Sequence, residues 1–326
     1  MDVAAFGRKV IENVERVIVG KRDVVRLSLV SLLCEGHILL EDVPGVAKTM
    51  LARALAKSVG VSFARVQCTP DLLPSDVTGV SVFNQKTAEF EFRRGPVFHQ
   101  VLLADEINRA TPRAQAALLE CMAERQVTAD GETYFLDRPF MVLATQNPIE
   151  HEGTFPLPEA QLDRFLMRLS IGYPSFSDEN EMLDRLKQQH PIDALGQVVA
   201  VEELLQAQVA VREVFVHEKV REYIVRLVRA TRHSTDLAMG GSPRASLSLY
   251  RTCQALAALE GRNFSTPDDV KSVVKAVLCH RVIVSPETRL RGLGATKIVD
   301  ALLETVPAPV EKGRRCLLYT SPSPRD

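Results

Sequence analysis

The chain has 326 residues, 46% apolar and 25% charged, with a formal net charge of −1. The length suffices for two domains, and the composition is ordinary for a soluble globular protein. The near-neutral balance argues against a broadly electrostatic nucleic-acid surface, no apolar run nears the roughly 20 residues of a membrane span, and the N-terminus lacks a signal-peptide pattern. The six cysteines, at 34, 68, 121, 253, 279 and 316, form no Cys-x-x-Cys and no zinc-spaced cluster. They read as buried thiols of a reducing compartment, so a cytoplasmic location is expected. The seven histidines are dispersed and are assigned neither metal nor catalysis.

The first informative stretch runs Ile38-Leu39-Leu40-Glu41-Asp42-Val43-Pro44-Gly45-Val46-Ala47-Lys48-Thr49-Met50-Leu51. It reads as a buried strand, a tight loop and the start of a helix. Loop N–H groups and the positive helix end suit a phosphate. Lys48 would reach the β- and γ-phosphates of a nucleotide, and the Thr49 hydroxyl would ligate Mg²⁺. Pro44, Gly45, Val46, Ala47, Lys48, Thr49 and Met50 are the candidate nucleotide contacts. The pattern G-x-x-x-x-G-K-[ST] is not met in full, since Asp42 and Ala47 occupy its two glycine positions. An ordinary strand–turn–helix with a surface lysine would share these features. The following helix aligns Leu51, Ala54, Leu55 and Val59, and Gly60 ends it.

Val80 to Phe92 alternates apolar and polar residues around Asn84-Gln85-Lys86, and Gln126 to Arg138 repeats the theme around Ala129-Asp130-Gly131; both predict β-hairpins. Between them, the apolar run Val97 to Ala104 predicts a strand ending in Asp105-Glu106. This is a Walker B arrangement, with Asp105 helping to hold Mg²⁺ and Glu106 placed to polarise water. Thr111 is the N-cap of a helix with Pro112 at its first position, carrying Ala114, Ala117, Leu118, Cys121 and Met122 on one stripe. A third strand, Phe140 to Thr145, leads to Gln146-Asn147-Pro148, where the Asn147 amide could orient water or simply form a turn. Leu157 to Phe165 is a polar turn and a short helix; on physics alone Arg164 there is a surface charge. Strands alternating with helices imply a parallel three-layer α/β sheet with nucleotide at the carboxyl ends of the strands.

Beyond Tyr173-Pro174-Ser175 the strands stop. An acidic helix runs from Ser177 to Gln189, ended by His190-Pro191. From about Asp193 to Pro309 the pattern is helical. Val220, Ile224, Leu227 and Val228 form one core stripe, Leu249, Cys253, Leu256 and Ala257 another, and Val270, Val273, Val274, Val277 and Leu278 a third behind the capping-box sequence Thr266-Pro267-Asp268-Asp269. Ser242 caps a helix with Pro243 at its first turn. Arg244 follows, against the helix macrodipole; a tolerated surface arginine is an equally good account of it. After Gly313-Arg314-Arg315, two Ser-Pro steps and a lack of periodicity suggest a segment foreign to the fold, with a flexible tail as the alternative.

The words Glu-Asp-Val-Pro-Gly-Val-Ala-Lys-Thr, Asp-Glu-Ile-Asn-Arg, Ala-Thr-Gln-Asn-Pro and Leu-Pro-Glu-Ala-Gln-Leu-Asp-Arg-Phe occur in this order. Together they resemble the MoxR family of AAA+ ATPases over roughly residues 5 to 310. The family tolerates Asp and Ala in the phosphate loop. The resemblance implies an α/β AAA+ P-loop core with hairpin insertions over residues 1–190, an all-α lid over 191–310, and residues 311–326 outside both. It implies Mg-dependent ATP hydrolysis by a hexameric ring that remodels or matures a partner, some partners carrying a von Willebrand factor A domain. Arg164 matches the arginine finger, supplied to a neighbouring subunit. Arg244 matches sensor 2, acting within or across subunits, and Val19-Gly20 the adenine-side turn. The hairpins would face the ring pore or a neighbour. Three other readings stay open: a nucleic-acid motor, a non-hydrolysing nucleotide-gated scaffold, and the ATPase subunit of a metal chelatase.

Overall fold

The computed structural model describes residues 1–129, 131–148, 153–185 and 191–309. Asp130 of the second hairpin turn, the helix end near His190, Cys316 and the terminal segment lie outside the described residues.

In chain order come α1 (Val3–Glu15), α2 (Arg22–Leu33), β1 (Ile38–Glu41), α3 (Lys48–Val59), β2 (Phe63–Gln67) and α4 (Pro74–Thr78). A hairpin, β3 (Gly79–Asn84) and β4 (Glu89–Arg94), precedes β5 (Val101–Asp105) and α5 (Pro112–Glu124). A second hairpin, β6 (Gln126–Ala129) and β7 (Glu132–Phe135), precedes β8 (Met141–Gln146), α6 (Glu159–Leu162), β9 (Met167–Leu169) and α7 (Phe176–Arg185). The central sheet is parallel, in the order β2-β5-β8-β1-β9. Its inner strands are continuous apolar runs because helices cover both faces; Ile38 to Leu40 and Met141 to Ala144 are almost wholly buried. The parallel register sends every strand's carboxyl end to one edge. Glu41, Gln67, Asp105, Gln146 and Leu169 all finish there.

One expected strand is shorter than its apolar run. Pro96–Phe98 forms a 3₁₀ turn, so β5 begins at Val101. Pro96 opens that turn because its ring fixes φ and removes a ladder donor. Val97 is nevertheless buried, which is why the apolar run continues through it.

The remaining elements are α8 (Val201–Arg212), α9 (Glu218–His233), β10 (Leu237–Met239), α10 (Pro243–Leu259), α11 (Pro267–Leu278), β11 (Ile283–Val284), α12 (Pro286–Leu290) and α13 (Ala295–Thr305). The expected core stripes of α9, α10 and α11 are buried. This half is not wholly helical: β10 and β11 pair antiparallel, packed against Ile298 of α13. One apolar cluster runs from α1, α3 and β1 into α8, α9, α10 and α11, so the helical half packs on the sheet half through a shared core. The hairpins are joined by aromatic rings. Phe92 stacks on Tyr134 at 4.4 Å and Phe98 meets both edge-on. Each such pair contributes about 0.5–1.5 kcal/mol beyond burial.

Candidate active site

The loop between β1 and α3 is shaped for an anion. Gly45 has φ +86°, with open space where a Cβ would stand. Ala47, at φ 59°, takes the left-handed conformation normally left to glycine, and α3 starts at Lys48. Among the described residues no acceptor meets the N–H of Gly45, Val46 or Ala47. Donors so arrayed at the positive end of a helix form a phosphate cradle. Lys48 Nζ donates to the Asp42 carbonyl at 2.6 Å, which holds the ammonium group over the loop.

Asp42 is a departure from the glycine pattern with a structural reason. It is buried, and its carboxylate accepts from Ser170 Oγ at 3.0 Å and from the N–H groups of Ile171 and Gly172. The start of the phosphate loop is thereby tied to the chain leaving β9. That chain also reaches the Val19-Gly20 turn. Lys21 Nζ donates to the Tyr173 carbonyl at 2.7 Å, and a Cβ on Gly20 would stand 2.2 Å from Asp178 Oδ2. The structure thus links the turn expected near adenine to the loop expected at the phosphates. Asp42→Asn would remove a charge-assisted acceptor and turn an amide donor toward N–H donors. Loss of about 2 kcal/mol is expected, seen as a melting temperature lower by a few degrees in thermal denaturation.

The two strand-end carboxylates are held by different partners. Asp105 Oδ1 accepts from the Thr145 hydroxyl at 2.6 Å, and that same oxygen of Thr145 accepts the Glu106 N–H at 2.8 Å. Asp105 Oδ2 accepts from Arg65 Nε at 3.1 Å and Nη2 at 2.6 Å. Glu106 adopts φ 58°, a left-handed backbone conformation just past the strand end. Its Oε2 accepts from Gln67 Nε2 at 3.0 Å and Arg109 Nη1 at 3.2 Å. Asn147 follows β8 at the same edge and is buried. With β8 between β5 and β1, Asn147 stands between the carboxylates and the phosphate loop. The hard oxygens of Thr49 and Asp105 are the donor type Mg²⁺ prefers, so this edge fits the metal as well as the anion.

Arg164 and Arg244 lie elsewhere. Both line a cleft of about 350 Å³, together with Glu35, Arg125, Arg251 and Arg281. It stands at the amino edge of the sheet: Leu166 N–H bonds the His37 carbonyl just before β1. Arg164 Nη1 donates to the Leu119 carbonyl at 3.0 Å. Asp163 ties the chain beside Arg164 to the start of α10, where Arg244 stands. Its carboxylate accepts from Ser242 Oγ, the cap of α10, at 2.9 Å and from Arg281 Nε at 2.9 Å. Arg281 also donates to the carbonyls of Phe165 and Leu166, and burial pushes its guanidinium down to about 10. The His37 ring, pushed down by burial to about 4, is neutral and braces the cleft floor between Met122 O and Val142 N–H.

Sequence reasoning missed Arg65, Gln67, Thr145 and Arg281. The alternation Arg65-x-Gln67 on a strand was the available signal for the first two, since such spacing puts both on one face. Nothing local pointed to Arg281.

A parallel sheet with an anion loop after the inner strand β1, two acids at the end of β5 on the other side of β8, and a helical appendage defines a P-loop ATPase of the AAA+ class. The family model described as ATPase family associated with various cellular activities matches residues 37–167, and the AAA lid domain model matches residues 229–302. The chain is 51% identical over 304 residues to uncharacterized protein YeaC of Bacillus subtilis, covering 93% of this chain and 95% of that protein. It is 43% identical over 310 residues to chaperone MoxR1 of Mycobacterium tuberculosis, covering 92% and 82%. A crystal structure of an inferred ATPase from Cytophaga hutchinsonii superposes with TM-score 0.88 at 38% identity, covering 94% and 97%. The chain belongs to the MoxR family of AAA+ ATPases.

Proposed function

We propose that the chain hydrolyses ATP to ADP and phosphate with Mg²⁺, as a hexameric ring that remodels or matures a partner protein. One observation carries this reading: the arginines suited to transition-state charge stand at the wrong edge of the sheet for their own phosphate loop. Four residues of β1 separate His37 from Asp42, roughly 13 Å of strand. Arg164 and Arg244 therefore suit a neighbour's nucleotide, and a closed ring of head-to-tail subunits would complete every site. Both arginines are assigned here to act across the interface.

Lys48 and the loop amides would bind the phosphates, with Val19 and Gly20 on the adenine side. Thr49 and Asp105 would hold Mg²⁺, which when bound neutralises charge on the β- and γ-phosphate oxygens. Glu106 would take a proton from the attacking water, and Asn147 would orient that water. Among the described residues Glu106 Oε1 has no hydrogen bond, leaving it available for that role. We place the protein in the cytoplasm, in keeping with thiols that are buried and unpaired at Cys68, Cys121, Cys253 and Cys279. A partner with a von Willebrand factor A domain is proposed from family membership.

Lys48→Ala tests the phosphate loop. Loss of a charge-assisted phosphate contact should weaken binding of a fluorescent ATP analogue by at least about tenfold. Unchanged affinity would refute the loop assignment.

A further inference from the structure

Asp105 is already served by a cation of its own chain. Two nitrogens of Arg65 converge on one oxygen, Oδ2, at 3.1 Å and 2.6 Å, while Thr145 occupies Oδ1. The carboxylate side chain is 16% exposed and the arginine 48%. Arg65 lies on β2, the edge strand of the sheet, and Nη2 has a second acceptor in Gln67 Oε1 at 2.8 Å. It can therefore leave Asp105 without being stranded.

We propose that Arg65 and Mg²⁺ are alternative counter-cations of Asp105, so that Arg65 sets the Mg²⁺ concentration at which ATP is loaded. The inference rests on the proposed assignment of Asp105 to the metal. Its basis is electrostatic. A dication brought to Asp105 would meet a guanidinium on the same carboxylate, and like charges a few ångströms apart repel. The attraction that now holds Arg65 must be given up as the metal enters. Because the pair is partly exposed its strength is modest, which makes the exchange readily reversible. The partner of the exchange is also defined. Gln67 bridges Arg65 and Glu106, accepting from Arg65 through Oε1 and donating to Glu106 through Nε2. Displacement of Arg65 thus reaches the second carboxylate through one amide.

The test is Mg²⁺ titration of fluorescent ATP-analogue binding to the full chain, without turnover. Arg65→Gln should lower the half-saturating Mg²⁺ concentration about threefold, the size expected of a partly exposed ion pair, and leave metal-free affinity in EDTA unchanged. Arg65→Met, which also removes Arg65's bond to the Gln67 carbonyl oxygen, should do the same, and Arg65→Lys should stay nearer the parent. Thermal melts confirm that each variant compared is folded. An unchanged or raised Mg²⁺ requirement would overturn the proposal, as would loss of metal-free affinity, which would put Arg65 on the phosphates. If the parent chain shows no Mg²⁺-dependent nucleotide binding, the proposed ATPase site itself fails. If the parent shows it and the variants match the parent, only the role of Arg65 fails.

Discussion

Glu106→Gln is expected to bind ATP and assemble while releasing phosphate roughly 10²- to 10⁴-fold more slowly, the usual worth of a positioned general base. The substitution preserves shape. Glu106 owes its left-handed backbone to the strand end and to its N–H bond with Thr145, and neither involves the carboxylate. An amide can keep a partner in Gln67 or Arg109 through its oxygen, but it cannot accept a proton from water at neutral pH. Asp105 and the phosphate loop are untouched. Light scattering should therefore show ATP-dependent assembly equal to the parent's, alongside phosphate release near background. Turnover within tenfold of the parent would move the base to another residue.

Much of this site was legible because its signals are local. A buried strand, a loop and Lys48-Thr49 adjoin in the sequence, and Asp105-Glu106 ends an apolar run. The helical stripes and the caps at Thr111, Ser242 and Thr266 were readable for the same reason, each being set within four residues. What escaped notice depends on distant parts of the chain. Asp42 bonds Ser170 across 128 positions, Arg281 bonds Asp163 across 118, and Arg65 bonds Asp105 across 40. No periodicity encodes such pairings. Asp42 shows the consequence: read locally it weakened the loop pattern, whereas in the fold it anchors the loop. Val97 shows the converse, since its burial comes from a 3₁₀ turn and not from the strand its hydrophobicity suggested. Arg244 lies between these cases. Its unfavourable place at a helix start hinted at a purpose, but only the fold sets it beside Arg164 in a cleft at the far edge from Lys48.

Arg164→Ala should abolish hydrolysis while sparing nucleotide binding, and a second inactive variant should rescue it. Arginine fingers contribute about 10³–10⁵ in kcat, so the single variant should fall to background. Arg164 lines the amino-edge cleft, apart from its own phosphate loop, and affinity for an ATP analogue should stay within a few-fold of the parent. The guanidinium also bonds the Leu119 carbonyl; Arg164→Lys, which keeps a donor there but not the planar fork, should remain severely impaired. Mixing Arg164→Ala with Lys48→Ala supplies each missing part from the other chain. An Arg164→Ala subunit keeps its phosphate loop, and a Lys48→Ala neighbour keeps its finger. Random mixing in equal amounts leaves about a quarter of head-to-tail interfaces intact, so phosphate release should recover to a comparable fraction of the parent rate. Native mass spectrometry of differently tagged chains would establish that mixed rings form. No recovery in such rings would show that Arg164 does not act across the interface, whatever its distance from Lys48.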